Sequence, residues 1–177
     1  MARLRPVKAA GAFPPQAHDH AMCVADALSL AVERCARRGA RLTEVRRRVL
    51  ELVWNSHRPI GAYDLLAALA KEGRNAAPPT VYRALDFLIE QGLVHRIESL
   101  NAFIGCAAPG HAGSLEILIC TECGNAAELD DKRIAGAIAA KADSLGFEIS
   151  RQTIEVLGRC RACSALASGR GRSARAG

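Results

Sequence analysis

Two Cys-x-x-Cys motifs have the clearest chemistry in this chain. CTEC occupies residues 120–123 and CRAC occupies residues 160–163. Two residues between the cysteines allow both thiolates of a pair to bind one metal ion from a tight turn. Two such pairs complete the closed, all-cysteine tetrahedral site that is typical of structural zinc. The motifs therefore predict one structural zinc ion with the ligands Cys120, Cys123, Cys160 and Cys163.

The separation of the two motifs indicates what this ion would stabilise. The 36 residues between them exceed the roughly 15–20 residues of a simple zinc ribbon, so the ion would hold a whole subdomain together. A redox dithiol and a pair of disulfides are the alternatives. A thioredoxin-like motif needs only one Cys-x-x-Cys on a βαβ unit, and this segment lacks that pattern. Structural zinc is the favoured interpretation.

A second, weaker set of candidate ligands surrounds the first cysteine pair. It consists of His95, Cys106, His111 and Glu128. Imidazole nitrogen, thiolate sulfur and carboxylate oxygen form a mixed donor set that is compatible with tetrahedral zinc. A single histidine or cysteine in a strand is more often a core or surface residue, so spacing alone leaves this site open.

The charge is distributed unevenly along the chain. The net charge is +6, and residues 1–8 and 164–177 contribute +3 each. Residues 37–96 contain eleven Lys and Arg against six Asp and Glu, whereas residues 97–163 contain six against nine. A basic half joined to an acidic half indicates two domains with different partners, and nucleic acid suits the basic one.

No segment of the sequence has the features of a membrane span or a secretory signal. No stretch approaches the roughly 20 apolar residues that a span requires, and no apolar run follows Arg3, Arg5 and Lys8. We therefore expect a cytoplasmic protein without a membrane partner. In that compartment, seven cysteines are more readily explained by metal than by disulfides.

Residues 18–104 are expected to form a winged helix-turn-helix domain. Periodic apolar residues predict four helices. The first covers about residues 19–38, the second begins after an N-cap at Thr43, and the third and fourth cover residues 62–73 and 78–91. The first would bury Met22, Ala25, Leu28 and Val32. Pro59 and Gly61 predict a break in the chain, and alternation on both sides of 99–101 predicts a hairpin. Helices followed by a hairpin form this motif, whose last helix enters the major groove.

Residues 105–163 are expected to form a small α+β unit. Strands are predicted for LEILIC, NAAELD and FEISRQTIEVLG, with a helix over residues 131–145 before the last of them. Residues 1–17 and 164–177 have no apolar periodicity and are rich in small residues and proline or arginine. We expect both tails to be disordered.

Candidate DNA contacts lie near the start of the fourth predicted helix. Tyr82 and Arg83 are the best candidates for contacts with bases or phosphates, and Thr80 could cap the helix or contact a phosphate. Tyr63, near the start of the preceding helix, is a weaker candidate. Packing of Tyr82 against its own domain is the alternative.

The segment PPTVYRALDFLIEQGLVHRIES, followed by CTEC and CRAC, resembles the ferric uptake regulator family. Within that family, the pattern is most similar to that of the zinc uptake regulators (Zur). The resemblance covers about residues 22–163. It implies a winged-helix domain followed by an α+β dimerisation domain, and a homodimer that binds an AT-rich palindromic operator in double-stranded DNA.

The resemblance also implies roles for individual residues. Tyr82 and Arg83 would lie at the DNA, the paired cysteines would bind structural zinc, and a second zinc ion would lie at the domain hinge. The regulatory pattern of the zinc uptake regulators falls on His95, Cys106, His111 and Glu128.

The stretch before the first cysteine pair departs from the wider family. Iron- and peroxide-sensing relatives typically carry a His-rich segment there, whereas this chain has CAAPGHAGSLEILIC, with one histidine. A soft thiolate at Cys106 favours zinc over ferrous iron. Four further potential ligands have no assigned site, and we expect them to be structural or disordered: His18, His20, Cys23 and Cys35.

Together these features predict a zinc-responsive transcriptional repressor, not an enzyme, that binds two zinc ions per monomer and represses zinc-uptake genes as a zinc-loaded homodimer. An iron-, manganese- or peroxide-responsive member of the same family is the nearest alternative. A zinc hydrolase or deaminase would need an open coordination position, which four protein ligands do not leave. A zinc-stabilised interaction module that does not bind DNA is the third alternative.

Overall fold

The computed structural model has the predicted α+β fold, in which a helical half with a small sheet precedes a half built around a second sheet. It describes residues 13, 20–74, 76–107, 114–129 and 131–166. Its elements are α1 (His20–Arg37), α2 (Glu44–Trp54), β1 (Ile60–Gly61), α3 (Ala62–Lys71), α4 (Pro78–Glu90), β2 (Val94–Ile97), β3 (Ala102–Gly105), β4 (Ser114–Cys120), β5 (Ala126–Leu129), α5 (Lys132–Asp143) and β6 (Gln152–Gly158). None of the helices in these ranges is long and apolar enough to cross a membrane.

Helices α1 to α4 form the core of the first half, because each presents one apolar stripe to the others. The largest fully buried side chains on α2, α3 and α4 are leucines: Leu50, Leu65, Leu69, Leu85 and Leu88. Thr43 precedes α2, as predicted, and α4 opens on two prolines, whose missing N–H groups are tolerated in the first turn. The sequence therefore predicts where the helices around the core begin.

The buried face of α1 differs from the predicted one. Of the predicted inward residues, Leu28 packs against the core, whereas Met22, Ala25 and Val32 are exposed. The fully buried residues are Ala27, Ala31 and Cys35. Small side chains face the core because α1 lies close against its neighbours. The Arg34 side chain also connects α1 to the end of α4, because it donates a hydrogen bond to the Gln91 carbonyl. The larger apolar residues of α1 lie beside this contact line or away from it.

The hairpin predicted around residues 99–101 is present and carries a third strand that we did not predict. β2 and β3 are antiparallel, and Asn101 in the turn has a positive φ of 45°, a conformation that asparagine tolerates better than most residues. β1 pairs with the other edge of β3, with Ile60 opposite Phe103. The expected chain break at Pro59 and Gly61 is thus a short strand. Two residues are too few for a periodic pattern, and the partner residues, Ala102 and Phe103, are distant in sequence.

The second half consists of a three-stranded sheet and one helix. The strand order is β5-β4-β6, in which β4 pairs antiparallel with β5 and parallel with β6. α5 connects β5 to β6 within the predicted range, and Asp131 caps its first turn. None of its residues is buried, and Leu145 and Phe147 just beyond it are exposed. The chain alone leaves this apolar surface uncovered.

The three-stranded sheet of the first half, which we call the wing, packs on one face of the second sheet. The residues of this contact form one buried cluster: Ile97, Ile104, Leu115, Ile117, Ile119 and Ala126. The Ala126 N–H also donates to the His57 carbonyl at 3.0 Å. The predicted limit between residues 104 and 105 falls at the last residue of β3, which ends at Gly105. The domain limits, 18–104 and 105–163, remain a prediction.

Most of the two predicted tails lies outside the described residues. Residues 1–17 are described only at Phe13, and His18 is also outside the described ranges. Residues 161–166 form a helical turn, in which the Ser164 N–H donates to the Cys160 carbonyl at 3.0 Å. This turn continues three residues past the predicted limit at 163, because the helix that begins in the second cysteine pair does not end with it.

Candidate metal centres and nucleic-acid interface

Two adjacent parallel strands bring the cysteine pairs together. Cys120 on β4 lies opposite Gly158 on β6, so the CTEC and CRAC turns leave the sheet at the same end. The Thr121 N–H donates to the Gly158 carbonyl at 2.8 Å, and the Gly124 N–H donates to the Cys120 carbonyl at 2.9 Å. The first of these hydrogen bonds joins the CTEC turn to the end of β6, directly before the CRAC turn, and the second closes the CTEC turn itself.

The spacing of the four cysteine sulfur atoms fits one tetrahedral metal ion. All four lie within 4.8 Å of one another, and Sγ of Cys123 is 4.0 Å from Sγ of Cys160. Sulfur atoms bound to zinc at about 2.3 Å in tetrahedral geometry are about 3.8 Å apart, whereas a disulfide requires about 2.05 Å. The arrangement fits a four-thiolate metal site and does not fit two disulfides.

The cysteine cluster shifts the pKa values of Cys120 and Cys163 in opposite directions. Burial raises the pKa of Cys120, but backbone N–H donors outweigh it and lower that pKa to about 6. One of these donors is the Cys160 N–H, 3.3 Å from Sγ. A hydrogen bond with Cys160, followed by burial, raises the pKa of Cys163 to about 12. A soft cation would stabilise all four thiolates, because metal binding displaces their protons.

A second cluster joins the wing to the second sheet. His95 lies on β2, Cys106 follows β3 and Glu128 lies on β5, and their ligand atoms are within 4.8 Å of one another. Nε2 of His95 is 3.5 Å from Oε1 of Glu128, and the Ala107 N–H donates to the same oxygen at 3.0 Å. The Cys106 N–H donates to the Leu93 carbonyl at 3.0 Å, which holds the cysteine beside β2.

Burial determines what the second cluster can bind. Cys106 is 2% exposed and Glu128 is 5% exposed. A thiolate and a carboxylate in such surroundings require a cation or protons to offset the loss of water. A divalent ion would satisfy the nitrogen, sulfur and oxygen donors together, and this mixed set suits zinc. Since two donors belong to the wing and one to the second sheet, such an ion would fix their relative orientation.

The fourth predicted ligand of this cluster, His111, lies outside the described residues. Of the residues without an assigned site, Cys35 is buried in the first core, where burial raises the pKa of its thiol. Cys23 is half-buried against the same core. The ring of His20 contacts that of His57, with centroids 4.9 Å apart. These contacts are of the kind expected for structural residues.

Gly105 shapes the second cluster, although it is not one of the predicted site residues. It ends β3 directly before Cys106, and a side-chain carbon placed on it would overlap the Trp54 ring. Without a side chain, the strand can approach α2 closely, and this approach positions Cys106. A glycine at a strand end beside a candidate ligand was the available signal, but glycine in a strand often marks close backbone approach of any kind.

The predicted DNA contacts lie on exposed parts of α3 and α4. Thr80, Tyr82 and Arg83 are exposed on α4, and Tyr63 is exposed on α3. The side of α4 that carries Val81, Leu85 and Leu88 is buried. Tyr82 is 40% exposed, so its ring is not a core residue of its own domain. Capping by Thr80 is excluded, because the N-cap of α4 is Ala77.

Comparison with known proteins identifies relatives over most of the chain. Residues 37–157 match the model of the ferric uptake regulator family. The zinc uptake regulation protein of Escherichia coli (strain K12) is 40% identical over 139 residues, which are 77% of this chain and 80% of the relative. A solved zinc uptake regulator complexed with zinc and DNA has a TM-score of 0.77 at 37% identity, covering 82% of this chain and 97% of that one. Holo XcZur has a TM-score of 0.73 at 40% identity, covering 83% and 99%. The chain belongs to the ferric uptake regulator family.

Proposed function

We propose that this protein is a cytoplasmic, zinc-responsive transcriptional repressor that binds operator DNA as a zinc-loaded homodimer and turns off zinc-uptake genes. The observation that carries the proposal is the second cluster, in which His95 and Cys106 of the wing meet Glu128 of the second sheet. Similarity to a zinc uptake regulation protein and to a regulator complexed with zinc and DNA supports zinc as the ion and DNA as the partner. Membership in a family of transcription regulators argues against an enzyme.

Two zinc ions per chain correspond to the two clusters. The four-cysteine cluster would hold the first ion permanently, because four protein ligands complete its coordination and the cluster connects the ends of β4 and β6. The second cluster, with His111 as its fourth ligand, would bind the regulatory ion. In both sites zinc supplies the positive charge that the buried donor groups require.

The regulatory ion would act by shifting a population of domain orientations. Without it, the wing and the second sheet can sample several relative angles. Binding by donors from both sides favours the angle at which they meet, and a ligand shifts such an equilibrium only by its differential affinity for the two states. DNA then selects the same orientation in both protomers of the dimer, which couples zinc to operator affinity.

We expect the dimer to form through the apolar surface that the second half leaves exposed. Among the described residues, β6 pairs with β4 and with no other strand. Val156 and Leu157 on β6 are exposed, and α5 has no buried residue. Covering this surface with a second copy would give a two-fold assembly, which matches a palindromic, AT-rich operator. Sedimentation equilibrium of the full chain should give twice the monomer mass of 18.8 kDa, and a monomer at micromolar concentration in saturating zinc would contradict this.

Replacement of Arg83 by alanine should weaken operator binding by at least about fivefold, because a single arginine contact to a base or phosphate contributes roughly 1–3 kcal/mol. Zinc content and dimerisation should not change, since Arg83 lies on the exposed face of α4. Electrophoretic mobility shift with the upstream region of a zinc-uptake gene measures the effect. Arg151→Ala, which removes the same charge from an exposed position in the second half, should bind as tightly as the original chain. Equal losses in the two variants would point to net charge instead of α4.

Zinc stoichiometry combined with zinc-titrated operator binding tests the function as a whole. We expect two zinc ions per chain, one resistant to chelator and one that tracks DNA affinity. The nearest alternative is a regulator that responds to iron, manganese or peroxide. Ferrous iron or manganese that restores operator binding at lower free concentration than zinc would favour that alternative and overturn the zinc assignment.

A further inference from the structure

The turn of the wing is held by a carboxylate of the second sheet. Glu155 lies on β6, and its Oε1 accepts the Glu98 N–H at 2.6 Å while its Oε2 accepts the Ser99 N–H at 3.1 Å. Burial raises the pKa of Glu155, but the hydrogen bonds from Ser99 and Glu98 outweigh it and lower the pKa. A charged carboxylate thus binds two consecutive backbone N–H groups, and such charge-assisted bonds are stronger than neutral ones.

Glu155 stands in the same row of the sheet as the metal-site carboxylate. The strand register pairs Glu128 with Ile117 and Ile117 with Glu155. Residues paired across neighbouring strands point to the same face of a sheet. Ile117 is fully buried in the cluster shared with the wing, so this is the face that meets the wing. One row therefore presents a carboxylate at each end and a buried isoleucine between them.

The spacing of the two carboxylates matches that of their targets on the wing. β5 and β6 are two strand spacings apart, which is about 9.6 Å. His95 and Glu98 are three residues apart along the hairpin, which is about 10 Å in an extended strand. One orientation of the wing on the second sheet therefore makes both contacts at the same time, that of His95 with Glu128 and that of the wing turn with Glu155. A rotation that opens one contact strains or breaks the other.

We propose that Glu155 is a positioning residue for the zinc response, which holds the wing turn in the orientation at which His95, Cys106 and Glu128 can share one metal ion. This inference rests on the proposed function. Glu155 does not bind the ion, and it acts through the two N–H groups of the turn. Because coupling between two equilibria is reciprocal, weakening the turn contact should weaken regulatory zinc binding, and zinc should in turn tighten the turn contact.

The first test measures regulatory zinc affinity in Glu155→Gln. We expect chelator competition to show weaker binding of the second zinc ion by about tenfold, within the usual range of allosteric coupling, while the four-cysteine zinc stays bound. At a fixed, subsaturating free zinc concentration, operator affinity should fall with it. Glu148→Gln is the matched control, because Glu148 is exposed just before β6 and loses the same charge. Equal zinc affinity in the two variants would overturn the proposal.

The second test follows amide hydrogen exchange at Glu98 and Ser99. If Glu155 had a merely structural role, the exchange rates of these two amides would not depend on zinc. In the unmodified protein, zinc should slow exchange at these two amides, and Glu155→Gln should speed it by about tenfold while the β2–β3 pairs stay protected. Exchange that is independent of both zinc and the substitution would refute the proposal. These amides report on the wing without DNA, so failure of zinc-dependent operator binding alone would refute the proposed function and not this contact.

A conservative variant guards against loss of folding in Glu155→Gln. Glu155→Asp keeps the charge and withdraws the carboxylate by one methylene, so we expect zinc affinity and amide exchange between those of Glu155→Gln and the unmodified protein. If Glu155→Gln does not fold, zinc affinity and amide exchange measured in Glu155→Asp test the positioning role instead. Unchanged values for both would contradict the positioning role.

Discussion

Replacing Cys120 by alanine should release the structural zinc ion and unfold the second half of the protein. Cys120 is fully buried at the end of β4, where its sulfur belongs to the cluster that joins β4 to β6. Structural zinc contributes on the order of 10 kcal/mol or more to folding in small domains, which is comparable to the whole stability of about 5–15 kcal/mol of a typical domain. We therefore expect zinc content to fall, β-sheet circular dichroism to decrease, and the dimer to dissociate.

Cys35→Ala is the matched control for this prediction. Cys35 is also nearly fully buried, but it lies in the helical core and belongs to neither cluster. Its replacement should cost about 1 kcal/mol, as is usual for one substitution, and should leave zinc content and dimerisation unchanged. A Cys120→Ala protein that remains dimeric with the zinc content of Cys35→Ala would contradict the structural role of the four cysteines.

The four-cysteine cluster was predictable because each half of it is local. Two residues between cysteines specify a turn, and the two turns need only be brought to one end of a sheet. The starts of α2 and α4 were predictable for the same reason, since the residues that mark them are adjacent in sequence. Thr43 occupies the N-cap position of α2 without a side-chain capping hydrogen bond, and the two prolines suit the first turn of α4.

The contacts of α1 and β1 were not predictable from local pattern. Two different faces of α1 fit its apolar periodicity. Whether the face with Met22 or the face with Ala27 is buried depends on how closely α2 approaches. β1 exists only because Phe103 lies beside Ile60, which no pattern near Ile60 encodes. In both cases tertiary packing decides between local alternatives that are similar in energy.

The link between the two halves depends on register, which the sequence leaves open. Glu128 and Glu155 share a row only because each pairs with Ile117, and a slip of one residue on either strand would turn its carboxylate to the opposite face. The acidic charge of the second half indicated a different partner for that half. It did not indicate that two of those carboxylates face the wing.

Replacing Cys106 by alanine should abolish the zinc dependence of operator binding while the protein remains a folded dimer. The substitution removes the soft donor from the cluster between β2, β3 and β5, and the remaining imidazole and carboxylate bind zinc more weakly and less selectively. A coupling free energy of about 1–3 kcal/mol, or roughly 5–150-fold in affinity, would be lost. Operator affinity at saturating zinc should fall to that of the zinc-depleted protein, with one zinc ion per chain retained.

The same Cys35→Ala protein separates this effect from a packing defect. Cys106 and Cys35 are equally buried, each 2% exposed, so the two substitutions remove the same atoms from similarly dense surroundings. When the regulatory zinc is removed by chelator, both variants should therefore lose similar thermal stability, because no ion then stabilises the native state of either protein. In fluorescence-anisotropy titrations of the operator, Cys106→Ala alone should lose the zinc response. A Cys106→Ala protein that binds the operator with unchanged affinity at saturating zinc would refute the regulatory site. The zinc response would then have to originate outside the cluster of His95, Cys106 and Glu128.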